Sequence, residues 1–227
     1  GDFALGEGAK LSADWKPSEQ STRYSPTDIY DGKGFLKPER AAEFMKSFMP
    51  FPCAATVTGV TKKKETKNPP LLYNLAELQN DCAKMFKISP DETLAIAQEL
   101  YEKKLITYPR TGSRYIPEDV FAEIPKLLAF IGTQHEWKDK VRAKAIPTRR
   151  SVDGGKVTDH HALLVTGEKP LFLSKEDNTI YQMIAGRMVE AFSEKCVKDV
   201  TAVMAECAGV EFTVKGSVIR QAGWRAV

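Results

Sequence analysis

Strand-forming segments lie near both ends of the chain and helix-forming segments fill the middle, an order that leaves few ways to build a core. Residues 53–61 and 209–219 are short, rich in β-branched side chains and partly alternating, the second reading as two strands that meet at Gly216. Residues 3–15 carry a weaker signal of the same kind. Helical periodicity covers 37–48, 74–86, 89–104, 118–130 and 175–192. The simplest architecture is an α+β fold in which both chain ends, 1–68 and 194–227, form one β-rich domain. A mainly helical domain, 69–193, is then inserted between them.

Composition narrows the class without naming a function. With 227 residues, 42% hydrophobic and 28% charged, the chain has room for one large or two modest domains with a true core. Fifteen Gly and thirteen Pro do not amount to low complexity, and no stretch approaches the roughly 18 consecutive apolar residues of a spanning helix, so disorder, a fibre and a membrane span are excluded. Cys53, Cys82, Cys196 and Cys207 contain no C-x-x-C spacing, which fits neither a zinc ribbon nor a small disulfide scaffold. They are expected to be reduced, mostly structural thiols of a cytoplasmic protein. The net charge of +3 is too small to imply nucleic acid by itself. The start of the chain shows neither Met nor a basic-then-apolar signal pattern, and the sequence is expected to be a piece of a longer one.

Boundaries are marked by turn formers and charge. The basic run 62–67 followed by Asn68-Pro69-Pro70 is expected to end a strand and open the helical domain. Residues 137–156 carry seven Lys or Arg against two Asp, with Pro147 and Gly154-Gly155, and read as a mobile basic loop, either merely solvated or in contact with phosphate. Asn74 with Glu77, and Ser89-Pro90-Asp91-Glu92, are helix-start signals. Leu75, Leu78, Met85 and Phe86 are expected on the apolar face of the first of these helices, and Leu94, Ala97, Leu100 and Tyr101 on that of the second. The short turn between them makes a helix-turn-helix, a shape that serves packing more often than DNA reading.

The most informative stretch follows the second helix: 105–117, dense in hydroxyl and guanidinium groups and restrained by Pro109 and Pro117. Pro109 biases Tyr108 toward an extended conformation, and alternation then places Tyr108 and Arg110 on one face. A free phenol, with a pKa of about 10, is only about 0.1% ionised at neutral pH, so its use as a nucleophile on a phosphodiester requires proton removal and charge stabilisation. Arg110, always charged and fork-shaped, suits the second need. Gln98 and Glu102 stack four apart on the preceding helix and are expected to reach the same site. The competing reading is an ordinary half-buried strand tyrosine.

The segment from Gln98 to Thr111, Gln-Glu-Leu-Tyr-Glu-Lys-Lys-Leu-Ile-Thr-Tyr-Pro-Arg-Thr, closely resembles the active-site tyrosine segment of type IA DNA topoisomerases, particularly the topoisomerase III branch. Asp159-His160-His161-Ala162-Leu163-Leu164-Val165-Thr166 is similar to that branch's His-His-Ala-Ile-Ile-Pro-Thr element, and Trp15-Lys16-Pro17 and 223–227 are weaker matches. The family usually has an Asp or similar polar residue where this chain has Gly112, and commonly Pro where it has Val165; neither change removes the tyrosine or its arginine. The resemblance implies that Tyr108 attacks single-stranded DNA to form a 5′-phosphotyrosine, with Arg110 stabilising the scissile phosphate. It also implies supporting or DNA-binding roles for His160, Gln98, Glu102, Thr107, Thr111 and Arg114. A second strand or duplex would pass through the gate before religation, without ATP, and the β-rich domain would be the arch that opens it. The family's Mg²⁺ is expected on an N-terminal toprim domain outside these residues, since no Asp-x-Asp occurs here, and the chain alone is expected to be inactive.

Other chemistries fit less well. A metal site at Asp159-His160-His161 lacks further ligands beyond His135, and a phosphoesterase of the Asp-His-His type lacks its aspartate motifs. A relaxase wants His-x-His and a recombinase a spread Arg/His set. The alternative from another class is a non-catalytic single-stranded nucleic-acid-binding module using Tyr108, Tyr115 and Trp137 as stacking surfaces.

Overall fold

The computed structural model describes residues 1–4, 10–15, 24–30, 34–141 and 147–227. Lys16, Pro17, Arg142 and Lys144 lie outside them. The chain divides into two compact units, Gly1–Glu65 with Lys198–Arg220, and Thr66–Val197 with Gln221–Val227. Among the described residues no helix is long and apolar enough to cross a membrane.

The first unit is built on long strands. The hairpin β1 (Asp2–Ala4) and β2 (Lys10–Ser12) is followed by β3 (Asp14–Trp15), β4 (Ile29–Tyr30), β5 (Gly34–Phe35), α1 (Pro38–Lys46) and β6 (Ala55–Lys67). Near the C-terminus come β7 (Cys196–Cys207) and β8 (Val210–Gln221), giving a sheet in the order β3-β8-β7-β6. Ala208 and Gly209, both at positive φ, make the two-residue turn that matches the right-handed twist of a hairpin. Trp15 lies opposite Phe212 and Asp14 opposite Thr213. The core is largely aromatic: Trp15, Tyr24, Phe35 and Phe44 pack with ring centroids 4.4–5.7 Å apart, and Phe48 bridges Phe44 to Phe212.

Three sequence expectations change here. The strand expected at 53–61 extends as β6 through the basic run 62–67 and stops just before Asn68-Pro69-Pro70, because almost every residue of that strand is exposed and lysines cost nothing on such a surface. Strand β8 runs unbroken through Gly216, whose backbone is not left-handed. The long strand β7 was not anticipated; its buried positions, Cys196, Val200, Ala205 and Cys207, do not alternate cleanly.

The second unit is helical: α2 (Leu75–Phe86), α3 (Pro90–Glu102), α4 (Glu118–Ile131) and α5 (Lys175–Phe192). Their starts follow from local chemistry, since Asn74, Ser89 and Ser174 each accept a backbone N–H three residues on, at 2.9, 3.2 and 3.0 Å. Helix α5 is the spine, burying Ile180, Tyr181, Ile184, Ala185, Met188, Val189, Ala191 and Phe192 and packing on α3 and α4. The helix faces differ from the periodicity in places. Met85 and Phe86 are exposed and Cys82 lies inside, while α3 buries Thr93, Ile96, Ala97 and Leu100 and leaves Tyr101 40% exposed.

The described part of 137–156 is not a free loop. The indole of Trp137 donates to Gln182 at 2.5 Å, Thr148 donates its N–H to the Phe192 carbonyl, Ser151 is buried, and Val152 bridges Ile116. All four cysteines are unpaired, with Cys53 half-buried and the others buried.

Candidate active site

The end of α3 sets up the site. The Lys104 N–H bonds the Tyr101 carbonyl at 2.8 Å and the Leu105 N–H bonds the Leu100 carbonyl at 2.9 Å, with Lys104 at φ 60°. This is a Schellman stop with lysine at the left-handed position, and buried Leu105 supplies its hydrophobic contact. The chain therefore leaves the helix sharply and enters the core as an extended segment.

Residues 105–107 then pair antiparallel with 164–166. Ile106 bridges Val165, the Thr107 N–H bonds the Leu164 carbonyl at 2.9 Å, and the Thr166 N–H bonds the Leu105 carbonyl at 3.1 Å. Thr107 Oγ1 accepts the Leu164 N–H at 3.0 Å. Beyond the tyrosine, Thr111 Oγ1 donates to the His160 carbonyl at 2.7 Å, and the Ala162 N–H bonds the Tyr115 carbonyl at 2.9 Å. The histidine segment is thus fastened to the tyrosine segment on both sides of Tyr108. Their rings meet with centroids 4.5 Å apart, and Tyr101 closes on Tyr108 edge-on at 5.4 Å.

Pro109 and Thr111 are buried, Tyr108 is half-buried and Arg110 is exposed. That alternation turns Tyr108 and Arg110 away from the core, along an extended stretch outside any regular strand. A phenol, an imidazole and a guanidinium are therefore presented on accessible surface of one short segment pair, a set able to bind an anionic ester and to attack it.

The remaining expected residues are placed differently. Gln98 donates to Glu102 at 3.2 Å on the exposed side of α3, and the pair makes no hydrogen bond or ion pair with Tyr108 among the described residues. Arg114 is turned toward α2, donating to the Leu72 carbonyl at 3.1 Å and pairing with Glu77 at 3.3 Å. His161 is held by the Ala162 carbonyl, 2.8 Å from Nδ1.

The strip 71–75, read from the sequence only as the start of a helix at Asn74 and Leu75, is the clamp for both segments. The Tyr73 carbonyl accepts the Leu163 N–H at 2.8 Å, the Leu75 N–H bonds the Thr111 carbonyl, and Asn74 Nδ2 donates to the Gly112 carbonyl at 2.9 Å. Arg187 of α5 anchors that strip: its guanidinium lies over the Tyr73 ring at 3.8 Å and pairs with Asp81 at 2.9 Å and Glu190 at 3.2 Å. Burial pushes the Glu190 carboxyl above its ordinary range, with Arg187 opposing. Burial likewise raises the Tyr73 phenol far above its usual value, so it stays a neutral donor to Asp81 at 2.8 Å. Tyr101, expected by helical period on the apolar face of α3, instead lies against Tyr108 at the edge of the site.

Comparison with known proteins agrees on one family. The family model described as DNA topoisomerase matches residues 11–227. The DNA topoisomerase 3 of Bacillus subtilis is 35% identical over 180 residues, covering 76% of this chain and 25% of that protein, and that of Bacillus licheniformis is 34% identical over the same length. The full-length topoisomerase I of Thermotoga maritima shares the fold with TM-score 0.66 at 19% identity, covering 88% of this chain and 33% of its own. The chain thus spans about a quarter of the length of the curated relatives it matches. With its α+β architecture and these matches, the chain belongs to the type IA DNA topoisomerase family, on the topoisomerase III side.

Proposed function

We propose that Tyr108 is the nucleophile of a DNA strand-passage enzyme and that this chain is its gate portion. The phenolic oxygen attacks phosphorus in a single strand, the bond from phosphorus to the 3′ oxygen breaks, and the tyrosine holds the 5′ phosphate as an ester. The phenolic proton leaves as the bond forms, and the 3′ oxygen departs as a hydroxyl after gaining a proton. Religation reverses these steps, and because the ester stores the bond energy no ATP is consumed. Arg110 neutralises charge on the phosphoryl oxygens, while His160 contacts the same phosphate or its neighbour. Thr107 and Thr111 hold the segment, Gln98 and Glu102 line its helix side, and Arg114 supports it from the α2 side. The observation that carries this reading is the Tyr108–His160 ring contact beside the exposed Arg110.

Among the described residues no group of three or more His, Cys, Asp or Glu side chains is placed to hold a metal ion. The Mg²⁺ of the full enzyme is assigned to the toprim domain of the parent chain. Single-stranded DNA, a passing duplex and that toprim domain are the proposed partners, in a cytoplasmic setting. The first unit is the proposed arch.

The test is an SDS trap of covalent adduct on a single-stranded oligonucleotide with Mg²⁺, using the parent-length chain and its Tyr108→Phe form. An adduct on the 5′ end of the break that vanishes with phenylalanine is the expected result. A folded, DNA-binding parent that gives no Tyr108-dependent adduct would instead favour a non-catalytic binding module.

A further inference from the structure

Tyr101 occupies the last turn of α3 and does no packing work for that helix, whose buried face is Thr93, Ile96, Ala97 and Leu100. Its ring is 40% exposed and stands edge-on to Tyr108 at 5.4 Å and 79°. With Tyr108 and His160 it completes a row of three aromatic rings that reaches accessible surface, where an unpaired base would find a π-face. Arg110 is exposed on the tyrosine segment and attracts phosphate. Around Tyr101 the exposed charges are mixed, Glu99 and Glu102 lying beside Lys104 and Lys103, which pairs with Glu99 at 3.7 Å. A base is separated from its phosphate by one sugar, so a platform one ring away from the candidate nucleophile is where that base falls.

We propose that Tyr101 is a stacking platform for the nucleobase next to the phosphate engaged by Tyr108 and Arg110, a sequence-tolerant contact to single-stranded DNA. This deepens, and rests on, the reading of Tyr108 as a single-strand nucleophile. Stacking on one aromatic ring changes affinity by roughly five- to a hundredfold per base and is indifferent to base identity, as a strand-passage enzyme requires.

Fluorescence anisotropy at low salt tests it with this chain and two labelled oligonucleotides of equal length, one of mixed sequence and one in which every base is replaced by an abasic tetrahydrofuran. The parent is expected to prefer the base-containing strand by about tenfold or more. Tyr101→Leu should lose most of that preference while its affinity for the abasic strand stays level, and Tyr101→Phe and Tyr101→Trp should restore it. This non-additivity of ring and base is the signature of a direct stack. A Tyr101→Leu variant that keeps the preference, an equal loss on both strands, or a parent that fails to bind the mixed-sequence strand would each overturn the proposal. A failed adduct experiment with an intact Tyr101 effect would sink the nucleophile assignment and leave the stacking site standing.

Discussion

At the residue scale, two backbone positions around the candidate nucleophile carry opposite consequences. Lys104 sits in the left-handed region at φ 60°, where a side chain costs about 1 kcal/mol and glycine nothing. Lys104→Gly is therefore expected to stabilise the chain by about 1 kcal/mol, read as a higher urea midpoint at unchanged slope. Gly112 has a backbone that is not left-handed, and a Cβ there would meet no atom within 4 Å. Gly112→Asp should leave stability within about 0.5 kcal/mol of the parent in the same measurement. The glycine is thus no structural necessity of the loop. By contrast a Cβ on Gly186 would lie 2.7 Å from the Trp137 ring, so close packing requires that glycine even inside a helix.

At the element scale, the site is held less by its own segment than by α5 acting through the strip 71–75. Arg187, with its side chain 13% exposed, satisfies Asp81, Glu190 and the Leu71 carbonyl while stacking on Tyr73. Burial raises the Glu190 pKa above 4.5, so the folded state keeps this proton to a higher pH than the unfolded chain does. Stability from this group therefore falls as pH rises from the unfolded value through the raised one, and stays lower above it. Glu190→Gln is expected to flatten that decline, checked by chemical denaturation at a series of pH values from 4 upward. A profile that keeps its slope in the variant would show that the network compensates the buried charge fully.

At the scale of the whole molecule, each compact unit has its own core, one centred on Phe48 and Phe212 and the other on α5. Phe48→Ala and Leu163→Ala should each cost about 3 kcal/mol. By hydrogen exchange, each is expected to raise exchange chiefly in its own unit; equal effects on both would mean one cooperative fold. Two helix starts were legible in the sequence because a cap is settled within four residues: Asn74 and Ser89 act on their own backbone neighbours. The tyrosine segment was legible for the same kind of reason, since its hydroxyls, guanidinium and prolines are contiguous. Strand β7 and the lysine-rich end of β6 were not, because an exposed strand needs no apolar alternation to announce it. Nor could helical period alone tell that Tyr101 faces outward while Cys82 faces in, a choice made by what packs against each helix. The sequence by itself determined which chemical groups are available and where the helices begin. Only the tertiary structure decided that His160 meets Tyr108: the pairing of 105–107 with 164–166 joins residues more than fifty positions apart, a closure whose entropy cost no local sequence rule offsets and which the packed core has to stabilise.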